Sequence, residues 1–286
     1  MKGQGMSHGA GTIVNAIATG KGAAFGLDLR TTATVELNSS GTIEVEIAGF
    51  RGEDASLAER CVRNVLSMAA PGGEYGAKVV TCSQIPISRG LKSSSAAANA
   101  VVLATLDALG VSMDPLKAIR IGTRSALEAK VSVTGAFDDA CASLLGGVVL
   151  TDNSKERILR RDALPHGLRA LVHVPEMQIR KQQLPLQKMK TLAPAVEAAF
   201  LKARRGEYAQ AMLINSLSYS AALGLSMEMT FKALANGAFA AGLSGTGPAT
   251  VMLVEDRNFD LLLDAVGRKD MIITEVFHGE NLEGSK

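Results

Sequence analysis

The sequence has few aromatic residues and few cysteines. It contains no tryptophan, and aromatic residues make up 4% of its 286 residues. Its three cysteines, Cys61, Cys82 and Cys141, are far apart and form no CxxC pair. An odd number of isolated thiols argues against a disulfide framework or a cysteine-based zinc site, and it predicts reduced thiols in a cytoplasmic protein.

The sequence also lacks a dominant charge, because 30 Lys and Arg residues oppose 28 Asp and Glu residues for a net charge of +2. This balance argues against a nucleic-acid or anionic-membrane partner. Its apolar stretches are interrupted well before the roughly 20 residues that a membrane span needs. The glycine-rich N-terminus lacks the apolar centre of a secretory signal peptide. We therefore expect a cytoplasmic protein with a small-molecule partner, and the sequence predicts no oligomeric state.

What the sequence does contain is an apolar fraction of 47%, enough for a sizeable core. Alternating polarity predicts strands at residues 31–38 and 42–47, joined as a hairpin by the turn residues between them. Further strands are predicted at 77–82, 146–150, 168–174, 250–254 and 272–277, and helices at 57–69, 96–109, 115–130, between about 194 and 237, and at 259–266. This order lacks strict βαβ alternation and predicts an α+β fold in two layers. The polar stretch 153–165 predicts a boundary between domains at 1–157 and 158–286.

The most informative stretch lies between the strand at 77–82 and an alanine-rich helix. This phosphate loop consists of Pro86, Ile87, Ser88, Arg89, Gly90, Leu91, Lys92, Ser93, Ser94, Ser95 and Ala96. Unpaired backbone N–H groups and the positive end of the helix dipole favour a phosphate there. Gly90 permits close approach of the backbone, and Lys92 is expected to add a mobile positive charge. The alternative is a flexible loop that ends in a serine-capped helix. No Walker A loop is present, and no dinucleotide-binding GxGxxG lies between a strand and a helix.

Three segments, in the same order along the chain, resemble motifs of the GHMP kinase superfamily. The phosphate loop resembles the motif Pro-x-x-x-Gly-Leu-x-Ser-Ser-Ala, with one additional serine before the alanine. Residues 241–248, Ala-Gly-Leu-Ser-Gly-Thr-Gly-Pro, resemble the glycine-rich third motif, and residues 11–26 are a weaker N-terminal match. Within the superfamily, the Gly-Leu-Lys-Ser-Ser-Ser form of the loop and residues 15–25 are most similar to the archaeal shikimate kinases.

This resemblance implies a two-domain GHMP kinase fold, with an N-terminal domain similar to domain 2 of ribosomal protein S5 and a ferredoxin-like C-terminal domain. It implies an ATP- and Mg²⁺-dependent phosphotransferase that converts shikimate to 3-phosphoshikimate in chorismate and aromatic amino-acid biosynthesis. Homoserine kinase or another small-molecule GHMP kinase is the alternative within the superfamily. A non-catalytic GHMP-fold regulator and an RNA-binding protein are alternatives of other classes.

The resemblance also assigns catalytic and metal-binding roles. Asp138, which follows Gly135-Ala136-Phe137, is expected to orient or deprotonate the acceptor hydroxyl. Its alternative role is a helix N-cap. Glu128 is expected near the C-terminus of a helix, where a negative charge is unfavourable, and the family assigns it to Mg²⁺ together with Ser94. The alternative for Glu128 is an ordinary surface carboxylate.

The remaining candidates concern the nucleotide and the acceptor. Tandem glycines let backbone amides meet a phosphate, so the triphosphate is expected along Ser244, Gly245, Thr246 and Gly247. Lys21, expected in a loop between Gly20 and Gly22, and Asn15 are candidates for contact with phosphate or substrate. The alternatives are a solvated lysine and an asparagine at a strand end. The carboxylate of shikimate should be held by a cation, and the sequence does not rank the candidates Arg89, Arg124, Arg180 and Lys181.

Overall fold

The computed structural model describes residues 1–50, 52–177, 179 and 184–279. Its strands are β1 (Lys2–Val14), β2 (Lys21–Asn38), β3 (Ile43–Ile47), β4 (Gly76–Ser83), β5 (Val148–Asp152), β6 (Arg157–Asp162), β7 (Leu168–His173), β8 (Ala240–Leu243), β9 (Thr250–Glu255) and β10 (Met271–Phe277). Its helices are α1 (Ser56–Ala69), α2 (Ser93–Leu109), α3 (Pro115–Glu128), α4 (Phe137–Leu145), α5 (Leu186–Lys190), α6 (Ala193–Arg204), α7 (Tyr208–Leu223), α8 (Glu228–Ala235) and α9 (Phe259–Val266). A short 3₁₀ turn, Asn153–Lys155, follows β5.

Hydrogen bonds connect the ten strands of the described chain into one network. The main path runs β3-β4-β2-β10-β7-β9-β8, while β1 pairs with β2, and β5 pairs with both β2 and β6. β10 joins the two halves, because its first part pairs with β7 and its last residues, Val276 and Phe277, pair with β2. Helices cover this network, with α2 against β1 and α7 against β8. The predicted α+β class is therefore confirmed.

The structure contains a first strand that sequence patterning did not predict, because glycines conceal it. Gly3 and Gly5 of β1 lie directly against α2. A Cβ atom on Gly3 would collide with the backbone of Ala104 and Ala108, and one on Gly5 with the backbone of Ala100 and Ala104. Helix α2 is rich in alanine and buries most of its length. Glycine opposite alanine lets the helix approach the strand closely, so this packing fixes the helix that follows the phosphate loop.

The predicted hairpin between residues 31–38 and 42–47 is wrong. β3 pairs in parallel with β4, with Ile43 opposite Ala77. β2 has no free edge for β3, because β1 pairs along one side of residues 31–36 and β4 pairs along the other. The chain therefore passes to the outer edge of β4, and α1 completes a parallel crossover.

The division into domains at 1–157 and 158–286 remains a prediction. β6 begins at Arg157 and pairs with β5, so the proposed boundary lies at the start of a strand that belongs to the N-terminal half of the network. β10 returns from the C-terminal half to β2. Among the helices that the structure describes, none is long and apolar enough to cross a membrane.

Candidate active site

A cavity of about 470 Å³ lies where the phosphate loop, the start of α4 and the turn between β8 and β9 meet. The predicted site residues in its wall are Asn15, Ile87, Ser88, Gly90, Lys92, Ser93, Ser94, Ser95, Asp138, Gly245 and Thr246. The cavity wall does not include the other predicted residues of the two loops, which are Pro86, Arg89, Leu91, Ala96, Ser244 and Gly247. The structure therefore brings together most of the polar residues that the sequence singled out.

The phosphate loop ends in a helix terminus that no side chain caps. Helix α2 begins at Ser93, three residues earlier than predicted, and the preceding Lys92 makes no side-chain capping bond. Lys92 and Ser88 adopt left-handed backbone conformations, with φ of 66° and 57°. The serine-capped helix considered from the sequence is therefore wrong. The first N–H groups of α2 remain available to an anion, and the helix dipole favours one there.

The turn at residues 244–247 packs directly on the phosphate loop. The Ser244 hydroxyl donates to the Gly90 carbonyl at 2.8 Å, and a Cβ atom on Gly90 would collide with the Ser244 carbonyl. The end of β1 holds the turn from its other side. The Gly245 N–H donates to Thr12 Oγ1 at 2.8 Å, and Asn15 Nδ2 donates to the Gly245 carbonyl at 2.9 Å. The Asn15 amide therefore positions this turn, and its contact with substrate stays a prediction.

Asp138 is the second residue of α4, and it is 3% exposed. Burial, reinforced by the charge of Asp139, raises the pKa of its carboxyl to about 7, against the opposing effects of Lys92 and a hydrogen bond from Asn153. The N-cap position of α4 is Ala136, so the capping alternative for Asp138 is wrong. A buried carboxyl at a cavity wall whose pKa lies near neutrality has the properties of a general base.

Lys92 forms an ion pair across the cavity wall. Its Nζ atom lies 2.9 Å from Asp139 Oδ1, and the two side chains are 8% and 14% exposed. This contact lacks the angles of a hydrogen bond, and Asp139 Oδ1 has no hydrogen-bond partner in the part of the chain that the structure describes. The pair joins the start of α2 to the start of α4. The expectation of a mobile Lys92 charge is therefore wrong, because the ammonium is held in place.

The predicted metal ligand Glu128 and the predicted substrate contact Lys21 also lie outside the cavity wall. Glu128 accepts hydrogen bonds from Asn64 at 3.0 Å and from Arg124 at 2.9 Å, and these bonds lower the pKa of its carboxyl. Lys21 is the first residue of β2 rather than a loop residue, and its Nζ pairs with Glu197 at 2.9 Å. Within the described ranges, no three His, Cys, Asp or Glu side chains are arranged to hold a metal ion. The metal role of Glu128 and the substrate role of Lys21 stay predictions.

The candidates for a carboxylate-binding cation are mostly engaged elsewhere. Arg89 donates to backbone carbonyls in the segment 175–177. Arg124 is paired with the carboxylate of a neighbouring turn of α3. Arg180 and Lys181 lie outside the described residues. Lys130, which the sequence did not single out, is an exposed cation in the cavity wall.

Sequence patterning also missed the residues that support the site. Asn153 contacts Asp138 but lies in the polar stretch that predicted a domain boundary. Thr12 holds the turn at 244–247, yet it belongs to the unrecognised strand β1. The sequence did offer one signal, because Asn153 directly follows a buried strand. A polar side chain at the end of that strand lies at the same edge of the sheet as the loops.

Comparison with known proteins supplies independent information on the family. The profile of the GHMP kinases N terminal domain matches residues 56–147. A shikimate kinase of Methanocella arvoryzae is 50% identical over 256 residues, which cover 90% of this chain and 86% of that protein. A shikimate kinase of Methanothrix thermoacetophila is 48% identical over 265 residues, which cover 93% of this chain and 90% of that protein.

Solved structures share the fold at much lower identity. A homoserine kinase from Cytophaga hutchinsonii superposes with a TM-score of 0.75 at 18% identity, covering 97% of this chain and 96% of that one. The Methanococcus jannaschii mevalonate kinase superposes with a TM-score of 0.75 at 14% identity, covering 97% and 98%. These structures confirm the predicted GHMP kinase fold. Together with the relatives that match at 48–50% identity over most of their length, they show that the chain belongs to the GHMP kinase superfamily and, within it, to the family of archaeal shikimate kinases.

Proposed function

We propose that the protein transfers the γ-phosphoryl group of ATP to a hydroxyl group of shikimate, giving ADP and 3-phosphoshikimate. The observation that carries the proposal is the position of Asp138, a buried carboxyl in the same cavity wall as an uncapped helix terminus and the serines of the phosphate loop. The identity of the substrate is inferred from the relatives of 48–50% identity, which are named shikimate kinase.

In this proposal, the nucleotide phosphates bind at the start of α2. The free N–H groups of its first turn, the hydroxyls of Ser93 to Ser95 and the Lys92 ammonium all lie at this end of the cavity. Backbone donors and a fixed cation are the groups that stabilise the charge of a transferring phosphoryl group. The turn at 244–247 covers the loop from the opposite side.

In the proposed reaction, Asp138 accepts the proton of the acceptor hydroxyl. The hydroxyl oxygen then forms a bond to the γ-phosphorus while the bond from that phosphorus to the bridging oxygen of ADP breaks, and the electron pair of the broken bond stays with ADP. A base is most effective when its pKa lies close to the working pH. The raised pKa of the Asp138 carboxyl meets this requirement.

The donor groups near the loop only partly fit the proposed Mg²⁺ ion. The Ser94 hydroxyl lies in the cavity wall and suits a hard cation that also takes phosphate oxygens. The Glu128 carboxylate instead faces Asn64 and Arg124, so it fits the ion only after giving up these contacts. When bound, Mg²⁺ would supply neutralisation of the phosphate charge.

The substrate is tested against its alternatives with an ADP-release assay that contains Mg·ATP and one of shikimate, homoserine, mevalonate or galactose. The shared fold with a homoserine kinase at 18% identity does not decide among them. Turnover should occur with shikimate and fall to the ATPase background with the other three. Turnover only with another alcohol would overturn the substrate, and inactivity with all four would favour a non-catalytic regulator.

A further inference from the structure

Asn153 forms a network of hydrogen bonds behind Asp138. The residue is 5% exposed and lies in the 3₁₀ turn after β5. Its Nδ2 donates to Asp138 Oδ1 at 2.8 Å, and its Oδ1 accepts from the Asp138 N–H at 3.2 Å. The Thr151 hydroxyl also donates to Asn153 Oδ1, at 2.6 Å, and the Asn153 N–H donates to the Gly20 carbonyl at 2.8 Å.

The orientation of the Asn153 amide follows from its partners. The backbone N–H of Asp138 can only donate, so the oxygen of the amide must face it and the nitrogen must face the carboxylate. The hydroxyl of Thr151 satisfies the second lone pair of that oxygen. Asn153 is therefore fixed as a donor to Asp138 Oδ1, and it holds both the backbone and the side chain of Asp138.

The second carboxylate oxygen lies over a glycine. A Cβ atom on Gly22 would collide with Asp138 Oδ2, so any other residue at this position of β2 would displace the carboxylate. Gly22 pairs with Thr151 in the sheet, so the glycine and the network belong to adjacent strands. The Asp139 N–H also donates a hydrogen bond to the carboxyl. Among the described side chains, Asn153 bonds Oδ1 and none bonds Oδ2.

We propose that Asn153 is a positioning residue for phosphoryl transfer, holding Asp138 Oδ1 so that Oδ2 takes the proton of the acceptor hydroxyl. The inference rests on the proposed function. In this step the O–H bond of the acceptor breaks and an O–H bond forms at Oδ2. The acceptor oxygen bonds to the γ-phosphorus as ADP leaves, and Asp138 later releases the proton to solvent.

Two charged groups besides Asn153, Asp139 and Lys92, influence the ionisation of Asp138. Asp139 lies on the same helix, and Lys92 faces it from the phosphate loop. Cys141 on α4 and Tyr219 on α7 are neighbours whose own pKa values are raised, so both are neutral around pH 7. The hydrogen bond from Asn153 favours the ionised carboxylate. Its removal should therefore raise the pKa of Asp138.

The test compares Asn153→Ala with two further variants. Asn153→Ala should lower kcat about 10- to 100-fold, as expected for a misplaced reacting group, with the KM values for ATP and shikimate changed by less than about threefold. Thr151→Val, which removes the hydroxyl that orients the amide, should give a smaller loss of the same kind. Asn99→Ala is the matched control, because Asn99 is also a buried amide and donates to the Ala140 carbonyl of α4.

The second readout is independent of turnover. In protein labelled with ¹³C at the aspartate carboxyl carbons, the Asp138 resonance is identified by its absence in Asp138→Asn. Its titration midpoint should move to higher pH in Asn153→Ala and stay in place in Asn99→Ala. Unchanged kcat and midpoint in Asn153→Ala would overturn the inference, as would equal losses of kcat in the Asn153 and Asn99 variants.

Different results would overturn the proposed function and the positioning role of Asn153. Wild-type protein that phosphorylates none of the four alcohols would overturn both. Wild-type protein that turns over shikimate, with an Asn153→Ala variant that keeps its kcat, would overturn only the positioning role. If Asn153→Ala does not fold, Thr151→Val takes its place, and an unchanged kcat and Asp138 titration in that variant would count against the network.

Discussion

Lowering the pH through neutrality should switch the enzyme off by protonating Asp138. Burial and the neighbouring Asp139 raise the pKa of this carboxyl from 3.8 to about 7. With such a pKa the base is ionised in roughly nine molecules in ten at about pH 8 and one in ten at about pH 6. The kcat/KM for Mg·ATP should therefore fall about tenfold per pH unit below neutrality, since this parameter reports the pKa of the enzyme before the nucleotide binds.

The measurement is a pH profile of kcat/KM with Mg²⁺ in excess, so that the nucleotide stays in its metal complex. Two variants fix the sign of the effect. Asp139→Asn removes a negative neighbour, lowers the pKa of Asp138 and should move the acid limb to lower pH. Lys92→Met removes a positive neighbour and should move the limb to higher pH.

An exposed aspartate would give a different pH profile. An ordinary exposed aspartate would stay ionised down to about pH 4, so its profile would be flat from about pH 5 to pH 8. A flat wild-type profile would refute the assignment of Asp138 as a buried base. An acid limb that moves in the same direction in both charge variants would show that the titrating group lies elsewhere.

The remaining predictions concern the nucleotide and its metal ion. Because Asp139 holds the Lys92 ammonium, Lys92→Met and Asp139→Asn should each weaken ATP binding measured by calorimetry. The double variant should lose less binding free energy than the sum of the two single losses. Strict additivity would show that the two residues act separately. Ser94→Ala should weaken Mg·ATP more than metal-free ATP, and equal effects on both would exclude metal ligation. Glu128→Ala should raise the Mg²⁺ concentration for half-maximal activity, whereas an unchanged metal titration would leave Glu128 as the surface partner of Arg124.

Local chemistry explains what could be predicted from the sequence. The glycine, the serines and the alanine-rich helix of the phosphate loop each have a local backbone preference, and the loop lies in the cavity wall as expected. The helix start was predicted three residues late, because three consecutive serines favour caps over helix interiors. Asp138 was found by resemblance, since its residue type alone fits a helix cap equally well.

Contacts distant in sequence explain what could not be predicted. The strand that pairs with β3 was predicted wrongly, because the pairing depends on whether β2 has a free edge. Only the complete sheet decides that. Lys92 was expected to be free because its partner Asp139 is distant in sequence and carries no local signal. Asn153 was hidden for the same reason, since a polar residue in a polar stretch reveals its partner only in three dimensions.

The most direct test of the central claim is ³¹P NMR of a reaction that contains shikimate and Mg·ATP, with wild-type protein and Asp138→Asn in parallel. Wild-type protein should convert ATP to ADP and one phosphomonoester of shikimate. Asp138→Asn should bind ATP with nearly the same Kd and form the ester about 10²- to 10⁴-fold more slowly. Equal ester formation by both proteins, or release of ADP without a phosphomonoester of shikimate, would contradict the claim that Asp138 directs phosphoryl transfer to shikimate.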